Sequence, residues 1–151
     1  MSDQVGGTPI EILLVEDNPD DIDLTVEAFK EGKVRNHLSV AEDGEEALAF
    51  LRRTGRFTTA PCPDLILLDL NLPRISGSEV LAEVKRDPKL KRIPVIILTT
   101  SSHEKDILQC YELNANCYIT KPMALGKFLA VIRALDEFWL TIVRRPPKCD
   151  D

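Results

Sequence analysis

Carboxylates, a hydroxyl and a lysine stand at the ends of short apolar runs in this sequence. Glu16 and Asp17 follow IEILLV, and Asp69 follows LILL. Thr99 ends PVIILT, and Lys121 follows NCYIT. Carboxylate oxygens bind Mg²⁺, a lysine ammonium pairs with phosphate oxygens, and a hydroxyl can donate a hydrogen bond to them. If the fold gathers the ends of these runs, the residue types predict phosphoryl transfer.

Asp69 is the candidate nucleophile, because it ends the most apolar run and should lie at the centre of the set. Attack of a carboxylate on phosphorus gives an acyl phosphate. We expect Asp17 and Asp69 to bind Mg²⁺ directly and Glu16 to act through water. The backbone carbonyl of Asn71 could add one more metal ligand. Catalysis would then rest mostly on positioning and on charge neutralisation by the metal and Lys121.

Apolar runs alternate with amphipathic segments along the chain, and these elements must position the candidate residues. Strands are predicted at residues 10–15, 37–41, 64–69, 94–99 and 116–120. Helices are predicted from Pro19 to Gly32 and at residues 45–53, 77–86 (with Ser76 as cap), 103–113 and 125–142. Three strands are continuously apolar, which is typical of a parallel sheet covered on both faces.

Five strands alternating with five helices indicate a doubly wound α/β sandwich of the flavodoxin-like type, (βα)5, with a parallel five-stranded sheet of order 2-1-3-4-5. In such folds the carboxyl ends of the strands form one rim, and ligands bind there at the point where the strand order reverses. This rim would collect the candidate residues from distant parts of the chain.

Length, charge and cysteine content narrow the class of protein. The 151 residues fit one domain, which we place at residues 9–145 between a leader (1–8) and a tail (146–151). The net charge of −6 argues against binding to nucleic acid. No secretory signal or membrane-length apolar run is present, so we expect a cytoplasmic protein. Four cysteines without a CxxC pair predict reduced thiols and no zinc site.

The motifs VEDNP, AEDGEEAL, LLDLNLPRISG, VIILTTS and CYITKP, spread over about residues 10 to 142, resemble the receiver domain of bacterial two-component response regulators. The resemblance implies that Asp69 accepts a phosphoryl group from a histidine kinase. It also implies that Glu16 and Asp17 are the acid pair that holds Mg²⁺. Glu16 departs from the commoner aspartate, but its longer side chain should still reach the water shell of the metal.

The same resemblance assigns roles to residues on the fourth and fifth strands. Thr99 is the switch hydroxyl, Tyr118 the switch aromatic, and Lys121 the lysine that contacts the phosphate. A cis peptide bond is implied before Pro122. Phosphorylation would draw Thr99 toward the phosphate and turn Tyr118 inward, which changes the surface of helix four, strand five and helix five.

The chain is most similar to the single-domain regulators associated with cyanobacterial and other bacterial phytochromes. This similarity rests on RRTGRFTTAPCPDLILLDLNLP, TTSSHEKDI and KPM, and implies a phytochrome-type sensor histidine kinase as partner. Because the chain ends soon after the predicted helix 125–142, we expect signalling through contacts with an unidentified downstream protein. The apolar surface of that helix is wider than one sheet-facing stripe needs, and predicts a homodimer through helix four, strand five and helix five.

Two other functions use similar residues. A haloacid-dehalogenase-like phosphatase has a second aspartate two residues after its nucleophile, but this chain has Asn71 there, which cannot serve as a general acid. The acid pair also precedes the nucleophile here. A receiver fold used only for binding, without phosphorylation, would not need the complete set of Glu16, Asp17, Asp69, Thr99 and Lys121.

Overall fold

A computed structural model describes residues 9–30, 35–99, 104–113, 115 and 117–120. The strands are Ile10–Val15 (β1), Asn36–Ala41 (β2), Leu65–Leu68 (β3), Val95–Thr99 (β4) and Cys117–Thr120 (β5). The helices are Pro19–Lys30 (α1), Gly44–Arg52 (α2), Gly77–Arg86 (α3) and Glu104–Glu112 (α4), and a 3-10 turn spans Gly55–Phe57. The predicted leader, tail and helix 125–142 lie outside the described residues.

The five strands form one parallel sheet in the order β2-β1-β3-β4-β5. This confirms the predicted topology, in which the order of strands reverses between β1 and β3. The carboxyl ends of all the strands therefore lie at one edge of the sheet, called the rim below.

Two apolar cores lie on opposite faces of the sheet. Alternate residues of β1 and β3, such as Leu13 and Ile66, pack with buried side chains of α2 and α3. Their neighbours Leu14 and Leu67 pack instead with Phe29 and other residues of α1. Because successive side chains of a strand point to opposite faces, only a continuously apolar run can fill both cores.

The pairing of β1 with β3 is held at both ends of the short strand β3. At the amino end, Asp64 N–H donates to the Glu11 carbonyl (2.7 Å), and Glu11 N–H donates to Asp64 Oδ2 (2.9 Å). At the carboxyl end, Asp69 N–H donates to the Val15 carbonyl (3.0 Å). Since Val15 pairs with Leu68, the next residues in this register, Glu16 and Asp69, lie side by side.

Capping residues start three helices close to the rim. Asn18 Oδ1 accepts hydrogen bonds from the backbone N–H groups of Asp20 (2.9 Å) and Asp21 (3.2 Å) at the start of α1. Asp43 caps α2, and Ser76 caps α3 in a capping box with Glu79. The cap predicted at Ser76 is confirmed. These caps allow each helix to begin within a few residues of the preceding strand.

Cys62 is buried and forms one half of a disulfide bond. Its partner lies outside the described side chains. The expectation of reduced thiols is therefore wrong for this residue, because spacing along the chain does not tell which cysteines the fold brings together. Among the described residues, no helix has the length and apolar character needed to cross a membrane.

Candidate metal centre

Three carboxylates meet at the rim, where β1 and β3 end. One carboxylate oxygen from each of Glu16, Asp17 and Asp69 lies within 4.8 Å of the corresponding oxygens of the other two. Glu16 is 3% exposed and Asp69 is 7% exposed, whereas Asp17 is open to solvent. The structure thus brings together the three acids that the sequence predicted as metal ligands.

The charges of this cluster suit a divalent cation. Like charges about 4 Å apart repel by roughly 1 kcal/mol where water screens them and by up to roughly 4 kcal/mol where they are partly shielded from it. Burial of Glu16 and Asp69 adds a desolvation cost, because a carboxylate loses its hydration when it leaves water. A hard cation with oxygen ligands, such as Mg²⁺ or Mn²⁺, would offset both costs. The donor set contains only oxygen atoms, so it fits these metals better than soft ones.

Main-chain hydrogen bonds hold the two buried carboxylates in place. Glu16 N–H donates to the Ala41 carbonyl at the end of β2 (3.0 Å), and Glu16 Oε2 accepts from Asn18 N–H (3.3 Å). In the same way, Asp69 Oδ1 accepts from Asn71 N–H (3.1 Å). Each carboxylate is therefore oriented by the backbone two residues further along the chain.

Gly77 lets α3 approach the backbone of Asp69, a feature that the sequence reasoning missed. A Cβ atom at Gly77 would lie 2.2 Å from the Asp69 carbonyl oxygen and 2.6 Å from Leu70 Cα. Gly77 N–H also donates to the Leu70 carbonyl (3.0 Å). The signal available in the sequence was a glycine directly after the helix cap Ser76, where a better helix former would otherwise be expected.

Three other predicted site residues lie on the loop after β3 and on β4 and β5. Asn71 is exposed and follows Asp69 in the loop. Thr99 ends β4 and pairs with Thr120, and Tyr118 of β5 pairs with Ile97. Lys121 and the peptide bond before Pro122 lie outside the described residues. The roles assigned to Thr99, Tyr118 and Lys121 therefore stay predictions.

Comparisons of the sequence and of the structure with known proteins point to the same family. Residues 12–133 match the response regulator receiver domain. Response regulator Rcp1 of Synechocystis sp. (strain ATCC 27184 / PCC 6803 / Kazusa) is 46% identical over 146 residues, which are 97% of this chain and 99% of that protein. The crystal structure of the phosphorylated cyanobacterial phytochrome response regulator RcpA aligns with a TM-score of 0.89 at 48% identity, over 93% of this chain and 100% of that chain.

A metal-bound relative is also similar. The crystal structure of the Mn(2+)-bound form of response regulator Rcp1 aligns with a TM-score of 0.88 at 46% identity. It covers 92% of this chain and 100% of that chain. The oxygen-only cluster described above is thus found in a chain whose relative has been observed with a divalent metal.

Proposed function

Because the chain belongs to the response regulator receiver family, we propose that Asp69 accepts a phosphoryl group from a sensor histidine kinase in a reaction that requires Mg²⁺. The observation that carries the proposal is the position of Asp69. Its buried carboxylate ends β3 inside the carboxylate cluster and is oriented by Asn71 N–H at 3.1 Å. The folded receiver unit is proposed to span residues 9–145 and to act in the cytoplasm.

Phosphorylation would make one bond and break another. An oxygen of the Asp69 carboxylate attacks phosphorus as the phosphorus–nitrogen bond to the kinase histidine breaks, and the imidazole leaves with the electron pair of that bond. Mg²⁺, held by Glu16, Asp17, Asp69 and the Asn71 carbonyl, would neutralise charge on the phosphoryl oxygens. Asp69 is the group that bonds to phosphorus, and the product is an acyl phosphate on its side chain.

Two further residues are proposed to contact the transferred group. The hydroxyl of Thr99 would donate a hydrogen bond to a phosphoryl oxygen, and the ammonium of Lys121 would pair with another. Asn71 has no acidic proton to give to a leaving group, so the protein should catalyse only its own phosphorylation and dephosphorylation. A phosphomonoester substrate should therefore show no multiple turnover, whereas a phosphatase would convert it steadily.

Mass spectrometry tests the phosphoacceptor directly. After incubation with acetyl phosphate and Mg²⁺, the wild-type chain should gain about 80 Da, the mass of one phosphoryl group. Asp69→Ala should abolish this gain. Asp64→Asn is the matched control, because Asp64 is as buried as Asp69 but lies at the opposite end of β3. A phosphorylated Asp69→Ala variant, or an unlabelled wild type, would show that the proposal is wrong.

The kinase partner is proposed to be of the phytochrome type. Support comes from the similarity to a protein described as a cyanobacterial phytochrome response regulator, at 48% identity over 93% of the chain. A phosphorylated phytochrome-type kinase should transfer its label to the wild-type chain within minutes but not to Asp69→Ala. Failure of transfer, with normal labelling by acetyl phosphate, would reject this partner and leave Asp69 as the acceptor.

The output is proposed to pass through protein contacts, including a homodimer formed by α4, β5 and the predicted helix 125–142. Two apolar side chains of α4, Leu108 (63% exposed) and Tyr111 (47% exposed), support an interface there. Phosphorylation would bias this surface through the switch residues Thr99 and Tyr118. If the protein sediments as a monomer both with and without beryllofluoride, the dimer proposal fails.

A further inference from the structure

The loop that follows Asp69 contains an unusual backbone conformation at Arg74. Its φ angle is +68°, in the left-handed region. This region is unfavourable for any residue with a side chain, so the surroundings must hold Arg74 in place. Such a conformation therefore raises the question of which contacts hold Arg74 and what depends on them.

Ion pairs connect Arg74 to the start of α2. Arg74 Nη1 donates to Glu45 Oε1 at 3.0 Å, and Arg74 Nε lies 3.9 Å from Asp43 Oδ2. Asp43 caps α2, where its Oδ1 accepts from Glu46 N–H at 2.7 Å. Arg74 and Glu45 are each 65% exposed, so water screens their ion pair and its contribution to stability is small. Such a contribution matters little for global folding, but it offsets part of the cost of the Arg74 conformation.

A steric contact lies beside the ion pairs. A Cβ atom at Gly44 would lie 2.3 Å from the Ile75 carbonyl oxygen and 2.8 Å from Ile75 Cβ. Only glycine therefore allows the start of α2 to reach the loop backbone this closely. We use the name clasp for this contact between residues 43–45 and residues 74–75.

The clasp and the metal centre share the same segments of chain. The end of β2 bonds to the backbone of one cluster residue, because the Ala41 carbonyl accepts from the main-chain N–H of Glu16. Two residues later, the clasp begins at Asp43 and holds the loop between β3 and α3. That loop orients the second buried carboxylate through the hydrogen bond from Asn71 N–H to Asp69 Oδ1. Residues 41–45 thus contact both chain segments that carry the carboxylates of the cluster.

We propose that Arg74 is a positioning residue of the metal centre. Through its ion pairs with Glu45 and Asp43 it holds the β3–α3 loop so that Asn71 orients the Asp69 carboxylate toward the ion. The inference rests on the proposed function only in taking the carboxylate cluster as the Mg²⁺ site.

The direction in which Mg²⁺ affinity changes when Arg74 is replaced distinguishes a positioning role from a simple effect of its charge. Arg74 is a cation, so its charge alone would repel Mg²⁺, and its removal would tighten metal binding. Loss of a positioning contact has the opposite effect. We therefore expect Arg74→Gln to raise the Mg²⁺ dissociation constant by about two- to fivefold, as loss of a weak surface ion pair allows.

Isothermal titration calorimetry with Mg²⁺ alone is the test. Arg56→Gln is the matched control, because Arg56 also pairs with a glutamate of α2, Glu46. Its guanidinium carbon lies 4.7 Å from the centroid of the Phe57 ring. This change removes the same charge but neither ion pair of the clasp, so it should leave the dissociation constant unchanged or slightly lower. Arg74→Lys keeps a cation within reach of Glu45 and should restore binding to within about twofold of wild type.

Each outcome of the Mg²⁺ titrations supports or overturns the positioning role of Arg74. Equal or tighter Mg²⁺ binding by Arg74→Gln would overturn it, and so would equal weakening in Arg56→Gln. If wild type binds Mg²⁺ but is not labelled by acetyl phosphate, the proposed function fails while the positioning role is still decided by the titration. If wild type is labelled and Arg74→Gln binds Mg²⁺ normally, only the positioning role fails. Absence of Mg²⁺ binding by wild type would overturn both.

Discussion

Asp64 and Asp69 flank the same strand and are buried to the same extent, each 7% exposed, yet their surroundings differ. The Asp64 carboxylate accepts a hydrogen bond from the backbone of β1 at 2.9 Å. The Asp69 carboxylate accepts only from its own loop, at Asn71 N–H, among the hydrogen bonds described above, and it lies next to two other carboxylates. Position at the amino or carboxyl end of a parallel strand therefore decides whether a buried aspartate stabilises strand pairing or can take part in chemistry.

Neutralising one acid of the cluster should affect the metal-free and metal-bound proteins in opposite directions. Asp17→Asn removes one repulsive partner of Glu16 and Asp69, so we expect the metal-free protein to gain about 1 kcal/mol in free energy of unfolding. Wild type in Mg²⁺ at a hundred times the dissociation constant should gain about 2.7 kcal/mol, and the variant much less at the same concentration.

Thermal unfolding in EDTA and in Mg²⁺ measures both effects. Asp23→Asn is the control, since Asp23 is an exposed acid of α1 outside the cluster. The control should respond to Mg²⁺ as wild type does. A metal-free Asp17→Asn protein that is less stable than wild type would contradict net repulsion within the cluster.

Replacing Gly77 and replacing Gly55 should each lower the stability of the protein, but for different physical reasons. Gly77→Ala places a methyl group against the backbone of Asp69 and Leu70, so we expect a loss of about 1–3 kcal/mol and a weaker response to Mg²⁺. Gly55 has a φ of +60°, but beyond its two chain neighbours no heavy atom lies within 4 Å of its Cβ position. Gly55→Ala should therefore cost about 1 kcal/mol through its backbone conformation alone, with a normal response to Mg²⁺. Urea unfolding with and without Mg²⁺ tests this, and equal metal responses of the two variants would argue against it.

At the scale of elements, an ion pair joins α2 to α3. Arg52 donates to Glu83 Oε1 at 2.8 Å, and Arg86 of α3 also pairs with Glu83. The hydrogen bond from Arg52 is the main cause that lowers the pKa of Glu83 below its ordinary value of 4.5, and Arg86 adds to it. Because both partners are on the surface, the contribution to stability is modest.

The lowered pKa sets the direction of a pH effect. A carboxyl group whose pKa is lower in the folded than in the unfolded state stabilises the fold above its unfolded pKa, and this contribution is lost as pH falls through the folded pKa. We expect Arg52→Gln to be less stable than wild type at pH 7 and the difference to shrink in acid, below the ordinary value of 4.5. NMR titration should show the pKa of Glu83 rising in the variant. A stability difference that stays constant down to pH 3 would contradict the assignment.

At the scale of the whole molecule, the pattern of apolar residues in the sequence was enough to predict the buried strands and their order. Continuous apolar runs such as LILL implied strands buried on both faces, and their order followed from the rules of crossover connections. Because the carboxyl ends of the strands meet at the rim, Glu16 and Asp17 were predicted to lie beside Asp69. Glu16 and Asp69 are adjacent because the β1–β3 register continues by one residue past Val15 and Leu68.

Features that depend on contacts between distant segments were not predictable in this way. The close approaches at Gly44 and Gly77 and the ion pair of Arg74 with Glu45 join residues that no helical or strand period relates. The disulfide at Cys62 is a similar case. Such contacts follow from the packed structure, and a single sequence carries only the residue types that permit them.

Because of the register between β1 and β3, the effect of Mg²⁺ on folding rates can show when these two strands pair. Its carboxylates come from strands separated by all of α1, β2 and α2, so the cluster cannot exist before this long-range parallel pair has formed. Mg²⁺ can accelerate folding only to the extent that β1 and β3 are already paired in the transition state; otherwise it slows unfolding alone. The partition of the Mg²⁺ effect between the two rates would therefore report when the two halves of the sheet join.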